Sequence, residues 1–131
     1  SVVAVSCTDT VEHAIELLRK HDISQLPVVR DGAGLDRGQV EVQAIVGSIQ
    51  ERSLLDHLYR KPDILNAAVS TIMDPPFSLV DANEEIERVF PLLASGSQAV
   101  LVEREGYVVG VITRSDLLDF AAQQSRHGAL D

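Results

Sequence analysis

The stretch "GVITRSDLL", residues 110–118, decides the fold of this 131-residue chain. Its apolar first half is typical of a buried strand, and its second half begins a helix without an intervening loop. Thr113 and Asp116 stand three residues apart across this junction. The chain therefore passes from strand to helix at a group of polar side chains, and the role of that group needs an explanation.

Chemistry alone allows two interpretations of Thr113 and Asp116. If the helix begins near Ser115, the unpaired N–H groups of its first turn attract anions, and Arg114 would reach a phosphate. The hydroxyl and the carboxylate would then suit the hydroxyls of a ribose. Alternatively, Thr113 is the N-cap residue, and Asp116 at the third helical position nearly completes a capping box. Both interpretations stay open at this point.

The rest of the chain shows that this pattern occurs twice. Residues 10–29, "TVEHAIELLRKHDISQLPVV", and residues 85–104, "EEIERVFPLLASGSQAVLVE", each join apolar residues at helical spacing to a short apolar run. A second apolar strand and a short helix follow in each copy, and Gly47 corresponds to Gly110. Each copy therefore predicts the order strand, helix, strand, strand, helix.

The repeat also predicts how the chain is organised. Neither copy, at about 60 residues, buries much core alone, so we expect an α/β fold in which the two copies pack sheet against sheet. Pseudo-twofold symmetry between them would create two related clefts. The expected ranges are 1–60 for the first copy, 61–76 for a connecting segment, and 77–131 for the second copy with a C-terminal helix and tail. The expected first strands are 2–5 and 77–80, and the expected helix caps are Thr8 or Asp9 and Asp81 or Asn83.

The composition limits the partners of the chain. Its formal net charge is −9 at pH 7, which argues against nucleic acid and an anionic membrane surface, because both require a basic face. A single cysteine, Cys7, excludes an internal disulfide and fits the reducing cytoplasm. No apolar run reaches the roughly 18 residues of a transmembrane helix. Because the chain begins at Ser1 rather than Met, we expect a piece of a longer protein.

The sequence predicts no catalytic or metal-binding arrangement. The four histidines lack the spacing of metal ligands. Cys7 has no histidine or second cysteine nearby, so we expect an unreactive thiol. The glycine-rich stretch "GAGLDRG" (32–38) lacks the strand and helix of a nucleotide-binding loop, and it predicts a mobile hairpin loop over 31–43. These observations favour a binding or structural module over an enzyme.

The two copies resemble the CBS motifs whose tandem pairs form Bateman modules. The resemblance rests on "GVITRSDLLDF" (110–120) and "ISQLPVV" (23–29), and it covers essentially the whole chain. With "VGSIQERSLLDHL" (46–58) and "VSTIMDPPF" (69–77), the chain is similar to the C-terminal regulatory region of bacterial cystathionine β-synthases. The resemblance implies a regulatory fragment without a cofactor of its own, since pyridoxal phosphate belongs to a missing N-terminal catalytic domain.

Bateman modules bind adenosine compounds in their clefts, and the resemblance implies which residues do so here. Thr113 and Asp116 would hold the ribose, with Arg114 and Ser115 near a charged group of the ligand. The adenine wall would be formed by Ile23, Ser24, Gln25, Leu26, Pro27 and Ile112.

The first copy departs from this pattern. Gln50 stands at the threonine position and Ser53 at the aspartate position, so no carboxylate is left for a ribose. We therefore expect one competent cleft and one weak or empty cleft.

The resemblance implies a leading function and two alternatives. The leading one is a cytoplasmic homodimer that senses S-adenosylmethionine and controls an attached cystathionine β-synthase domain of cysteine biosynthesis. Sensing of AMP or ATP is the alternative ligand class, and a ligand-free dimerisation module is an alternative of another kind. The helices "RSLLDHLY" (52–59) and "RSDLLDFAA" (114–122) carry more leucine than a short exposed helix needs, so we expect them to form the dimer interface.

Overall fold

The computed structural model describes residues 2–128 and gives both copies the same order of elements. The predicted order of strand, helix, strand, strand, helix is confirmed, while the predicted tail at 129–131 lies outside the described residues. The elements are β1 (Val5–Ser6), α1 (Val11–His21), β2 (Gln25–Val29), β3 (Ile45–Gln50), α2 (Glu51–Arg60), β4 (Ser78–Asp81), α3 (Ile86–Ala94), β5 (Ala99–Arg104), β6 (Tyr107–Thr113) and α4 (Arg114–Gly128).

Each copy contributes one three-stranded sheet. The strand orders are β1-β2-β3 and β4-β5-β6, and in both sheets the first pair is parallel and the second antiparallel. In the second sheet, Thr113 at the end of β6 pairs with Ala99 at the beginning of β5. The junction of β6 and α4 therefore lies beside the loop that enters β5.

Buried apolar side chains form three layers. The first lies between α1, α2 and the first sheet and includes Leu26 and Ile49. The middle layer joins the two sheets and includes Val29 and Leu101. The third lies between the second sheet, α3 and α4, with Leu93 at its centre. This succession of helices, sheet, sheet and helices confirms that the copies pack sheet against sheet.

The first long helix, α1, begins at Val11, which is one residue later than a cap at Asp9 would place it. Thr10 is the N-cap residue of α1, and its Oγ1 accepts the backbone N–H of His13 at 3.1 Å. Asp9 instead accepts the backbone N–H of Ser6 at 3.0 Å and closes the turn after β1. The predicted cap at Thr8 or Asp9 is therefore wrong, because the turn uses these side chains.

The second copy differs from the prediction at the same place. The helix α3 begins at Ile86, and no side chain caps it. Asp81, a predicted cap, accepts the backbone N–H of Asn83 at 2.8 Å in the turn before the helix. The first strands of the two copies begin at Val5 and Ser78, later than predicted.

The long loop of the first copy fastens the two copies together instead of forming a free hairpin. It contains three short turns of 3-10 helix. The side chain of Val40 is buried in the layer between the sheets, and its carbonyl accepts the backbone N–H of Val108 at 2.8 Å. The N–H of Val42 donates to the carbonyl of Gly106 at 2.9 Å. The end of the loop thus extends the edge of the second sheet.

Candidate functional site

A cleft of about 430 Å³ opens where the loop after α1 faces the junction of β6 and α4. The loop contributes residues 22–25 to its lining, and the junction contributes residues 113–116. Val111 and Gln98 complete the lining. The structure therefore brings together two segments, one from each copy, that the sequence analysis assigned to a single site.

Thr113 and Asp116 form a reciprocal capping box at the start of α4. The backbone N–H of Thr113 donates to Asp116 Oδ2 at 2.8 Å, and the threonine hydroxyl donates to the same oxygen at 3.0 Å. The N–H of Asp116 donates back to Thr113 Oγ1 at 3.4 Å. Within residues 2–128, Asp116 Oδ1 has no hydrogen-bond partner. The pair thus caps the helix and leaves one oxygen of a cleft-lining carboxylate free to accept from a ligand.

Arg114 is held toward α3, although the resemblance placed it beside a charged group of the ligand. Its Nε donates to the carbonyl of Leu93 at 3.4 Å, near the end of α3, where the last helical carbonyls lack intrahelical partners. The neighbouring Ser115 lines the cleft. The charged side chains of the cleft lining are therefore Asp22, Asp116 and Arg114, so that two carboxylates face one guanidinium and the lining carries a net negative charge.

Three residues expected in the adenine wall, Leu26, Pro27 and Ile112, do not line the cleft. Residues 23–25 line it as expected. Leu26, however, is 0 % exposed and packs in the layer beneath α1 and α2. Ile112 packs in the layer beneath α3 and α4. Because side chains alternate along a strand, Val111 lines the cleft in place of Ile112.

A smaller cavity of about 230 Å³ adjoins the cleft and shares Ile23, Gln25 and Val111 with it. Pro27, another residue of the expected adenine wall, lines this cavity. An apolar cavity that continues a polar cleft suits a ligand with one apolar and one polar end. The other lining residues are Val2, Val3, Phe77, Leu101, Val109 and Gly110.

In the related cleft of the first copy, the corresponding side chains are bonded to their own chain. Ser53 Oγ donates to Asp74 Oδ1 at 3.1 Å, and Gln50 Nε2 donates to Ser48 Oγ at 3.1 Å. The hydroxyl of Ser48 in turn donates to the carbonyl of Pro75 at 2.7 Å. Asp74 supplies a carboxylate that alignment of the two copies misses, because it comes from the connecting segment.

The described part of the chain contains neither a metal-binding cluster nor a membrane-spanning helix. Within residues 2–128, no group of three or more His, Cys, Asp or Glu side chains is placed to hold a metal ion. In the same range, no helix combines the length and apolar character that crossing a bilayer requires. Cys7 is a partly buried free thiol that packs against the core of the first copy.

Comparison with known sequences identifies a family and finds curated relatives, among them a cystathionine beta-synthase. A sequence model described as "CBS domain" matches residues 1–59 and 69–123. The cystathionine beta-synthase of Dictyostelium discoideum is 23 % identical over 123 residues, which amount to 90 % of this chain and 22 % of that protein. The chain therefore spans less than a quarter of the length of this relative.

Comparison with solved structures finds the same architecture. The CBS-domain containing protein ATU1752 from Agrobacterium tumefaciens has a TM-score of 0.75 at 21 % identity, with 91 % of this chain and 83 % of that chain covered. The CBS domain of a bacterial CNNM/CorC family Mg²⁺ transporter, solved in complex with ATP, has a TM-score of 0.70 at 27 % identity, with 91 % and 78 % covered.

Proposed function

The chain belongs to the CBS-domain family, and we propose that it is a regulatory module that binds an adenosyl compound in the cleft between its two copies. The observation that carries this proposal is the pair Thr113 and Asp116, which caps α4 and leaves Asp116 Oδ1 without a partner in the described chain. The similar CBS domain solved with ATP supports the ligand class.

The polar and apolar parts of the site suit the two ends of an adenosine group. The hydroxyls of a ribose would donate to Asp116, as they do to the acidic residue of dinucleotide-binding folds. Adenine would lie against Ile23, Gln25 and Val111, which border both the cleft and the apolar cavity. Because these groups come from both copies, a bound ligand would favour one relative arrangement of the copies, and such differential affinity is what regulation requires.

The charge of the site favours S-adenosylmethionine over AMP or ATP. The charged side chains that line the cleft are Asp22, Asp116 and Arg114, and the Nε of Arg114 is bonded to the end of α3. A triphosphate would meet two carboxylates and a single guanidinium, which is already bonded to Leu93, so the net charge of the lining disfavours it. A sulfonium ion would be attracted by the same field. AMP or ATP remains the alternative ligand class.

The regulated partner that we propose is an attached cystathionine β-synthase domain. The chain is similar to part of the Dictyostelium enzyme, and in a longer protein the pyridoxal phosphate would be held by that catalytic domain. The module itself would contribute no catalytic residue and would act in the cytoplasm. The division into 1–60, 61–76 and 77–131 stays a prediction.

Thermal unfolding with and without ligand tests the proposed function. A ligand at about 100 times its dissociation constant adds about 2.7 kcal/mol to the free energy of unfolding. In a domain of this size, this stabilisation raises Tm by about 10 °C. We expect that rise with S-adenosylmethionine, not with AMP or ATP at the same concentration, and we expect Asp116→Ala to abolish it.

The controls separate ligand binding from helix capping. Because Asp116→Ala also removes a cap, each variant is compared with its own unliganded Tm. Asp119→Ala alters an exposed carboxylate of the same helix outside the cleft lining and should keep the full rise. A rise with AMP or ATP alone would make the module a nucleotide sensor. Without a rise in any of the three, the ligand-binding function is overturned.

We also propose that the module is a homodimer formed through α2 and α4. Leu55, Tyr59 and Leu118 on these helices are 61 %, 87 % and 70 % exposed. Exposed apolar side chains concentrated on otherwise polar helices mark an interface.

The same surface supports a second candidate function, a ligand-free dimerisation module, because capping alone would explain Thr113 and Asp116. An apolar groove of about 360 Å³ beside Leu118 is lined by Phe90, Leu93, Ala94, Arg114, Leu117 and Ala121.

A double variant tests the dimer interface. We expect Leu55→Glu with Leu118→Glu to halve the mass measured by light scattering, because burying two carboxylates against apolar side chains is unfavourable. Both positions are exposed in the single chain, so the Tm of the monomer should change little. Gln39→Glu, which adds one negative charge to an exposed loop, should leave the dimer intact. A double variant that stays dimeric would contradict this interface.

A further inference from the structure

Asp22 lines the cleft at a position that is unfavourable for an aspartate. It follows α1 directly in the left-handed conformation, with φ 52° and ψ 52°, and its N–H donates to the carbonyl of Arg19 at 3.3 Å. Glycine or asparagine is most usual at such a helix-ending position; aspartate tolerates this backbone conformation but brings a charge to it. The carboxylate also lies at the negative end of the helix dipole, where cations are preferred.

The described fold does not compensate for this charge. The side chain of Asp22 is exposed, and among the described side chains of residues 2–125 its carboxylate has no hydrogen-bond or ion-pair partner. The basic residues of the last turn, Arg19, Lys20 and His21, precede it on α1, but none of them bonds to it. A carboxylate that is costly to the helix and unused by the fold needs another explanation, and its place in the cleft lining provides one.

The arrangement of charge in the cleft indicates what this carboxylate does. Asp116 lies on the wall formed by α4, and Asp22 lies on the wall formed by the loop after α1. Arg114 also lines the cleft and bonds to Leu93 through its Nε, so the two carboxylates outnumber the one cation. We propose that Asp22 is a specificity-determining residue that makes the cleft prefer a cationic adenosyl compound to an anionic nucleotide. This inference rests on the proposed function, and it adds the residue that sets the charge of the ligand.

Three probes that share the adenosine group but differ in charge test this assignment. S-adenosylmethionine carries a net positive charge, S-adenosylhomocysteine differs by one methyl group and is neutral overall, and AMP is an anion. In Asp22→Asn, we expect the affinity for the cation to fall about fivefold, the affinity for the neutral compound to stay within about twofold, and the affinity for AMP to rise about fivefold. Calorimetric titration of the full chain measures all three.

A matched control separates a local charge from the net charge of the chain. Asp31 is also a left-handed aspartate, with φ 49°, but it lies in the loop after β2 outside the cleft lining. Asp31→Asn removes the same charge from the same backbone conformation, and it should leave all three affinities within about twofold. An equal effect of both substitutions would overturn the assignment, because it would reflect only the overall charge.

The remaining outcomes distinguish this proposal from the one on which it rests. The unliganded Tm of Asp22→Asn should equal or exceed that of the unaltered chain, because asparagine suits the position better. Asp22→Gly, which removes the side chain altogether, should give the same order of affinities. If the unaltered chain binds all three probes and Asp22→Asn weakens them equally, the residue has only a structural role. If the unaltered chain binds none, the proposed function fails, and the specificity assignment fails with it.

Discussion

Replacing Leu101 with alanine is expected to lower the free energy of unfolding by about 3–4 kcal/mol. Leu101 lies on β5, is 0 % exposed, and belongs to the layer that joins the two sheets. Truncation removes apolar contacts on both sides of this layer and leaves a cavity that the surrounding strands fill only in part. For a chain of this size, Tm should fall by about 10–14 °C in thermal unfolding followed by circular dichroism.

The shape of the transition matters as much as its midpoint. Because the middle layer is shared, both copies should unfold in one transition that moves as a whole in Leu101→Ala. Leu79→Ala is the control, since Leu79 lies on β4 and is 39 % exposed, and it should cost less than about 1 kcal/mol. A variant in which half of the signal keeps the original Tm would contradict the shared core and show that each copy folds independently.

The order of elements is predictable from the sequence because it depends on spacing, which is local information. Apolar residues at intervals of three and four distinguish helical segments from strands. Because the chain contains a repeat, each copy shows the same pattern independently. The exact ends of the elements depend on which of several neighbouring side chains caps a helix. Thr8, Asp9 and Thr10 are all good helix caps, but Thr8 and Asp9 both bond to Ser6 in the preceding turn, and Thr10 caps α1.

The residues of the candidate site can be predicted from the sequence at positions where the two copies align with each other, and not elsewhere. Thr113, Asp116 and residues 23–25 line one cleft, as the aligned motifs indicate. The alternation of β6, counted from Thr113, places Val111 rather than Ile112 in the lining. The contact of Asp74 with Ser53 joins segments that are distant in sequence, and no local pattern predicts it.

Gly47→Ala should be the second most damaging substitution, with a loss of about 3 kcal/mol, at the upper end of the range for overpacked cores. A Cβ at Gly47 would lie 2.6 Å from Met73 Sδ and 2.9 Å from the carbonyl oxygen of Asp74. The thioether can move, but the carbonyl is held by the backbone bonds between Ser48 and Asp74, at 2.8 and 2.9 Å. Chemical denaturation of the variant measures the loss.

The internal repeat supplies the matched control, because Gly110 occupies the corresponding position of the second copy. A Cβ there would meet only Val102 Cβ, at 3.9 Å, which is ordinary contact. Gly110→Ala should therefore change the free energy of unfolding by less than about 1 kcal/mol. Because alanine restricts the unfolded chain more than glycine does, this part of the effect stabilises the folded state. Equal losses in both variants would mean that the strand backbone itself requires glycine. A loss confined to Gly47→Ala would instead show that the connecting segment, pressed against β3, is what makes the two copies differ.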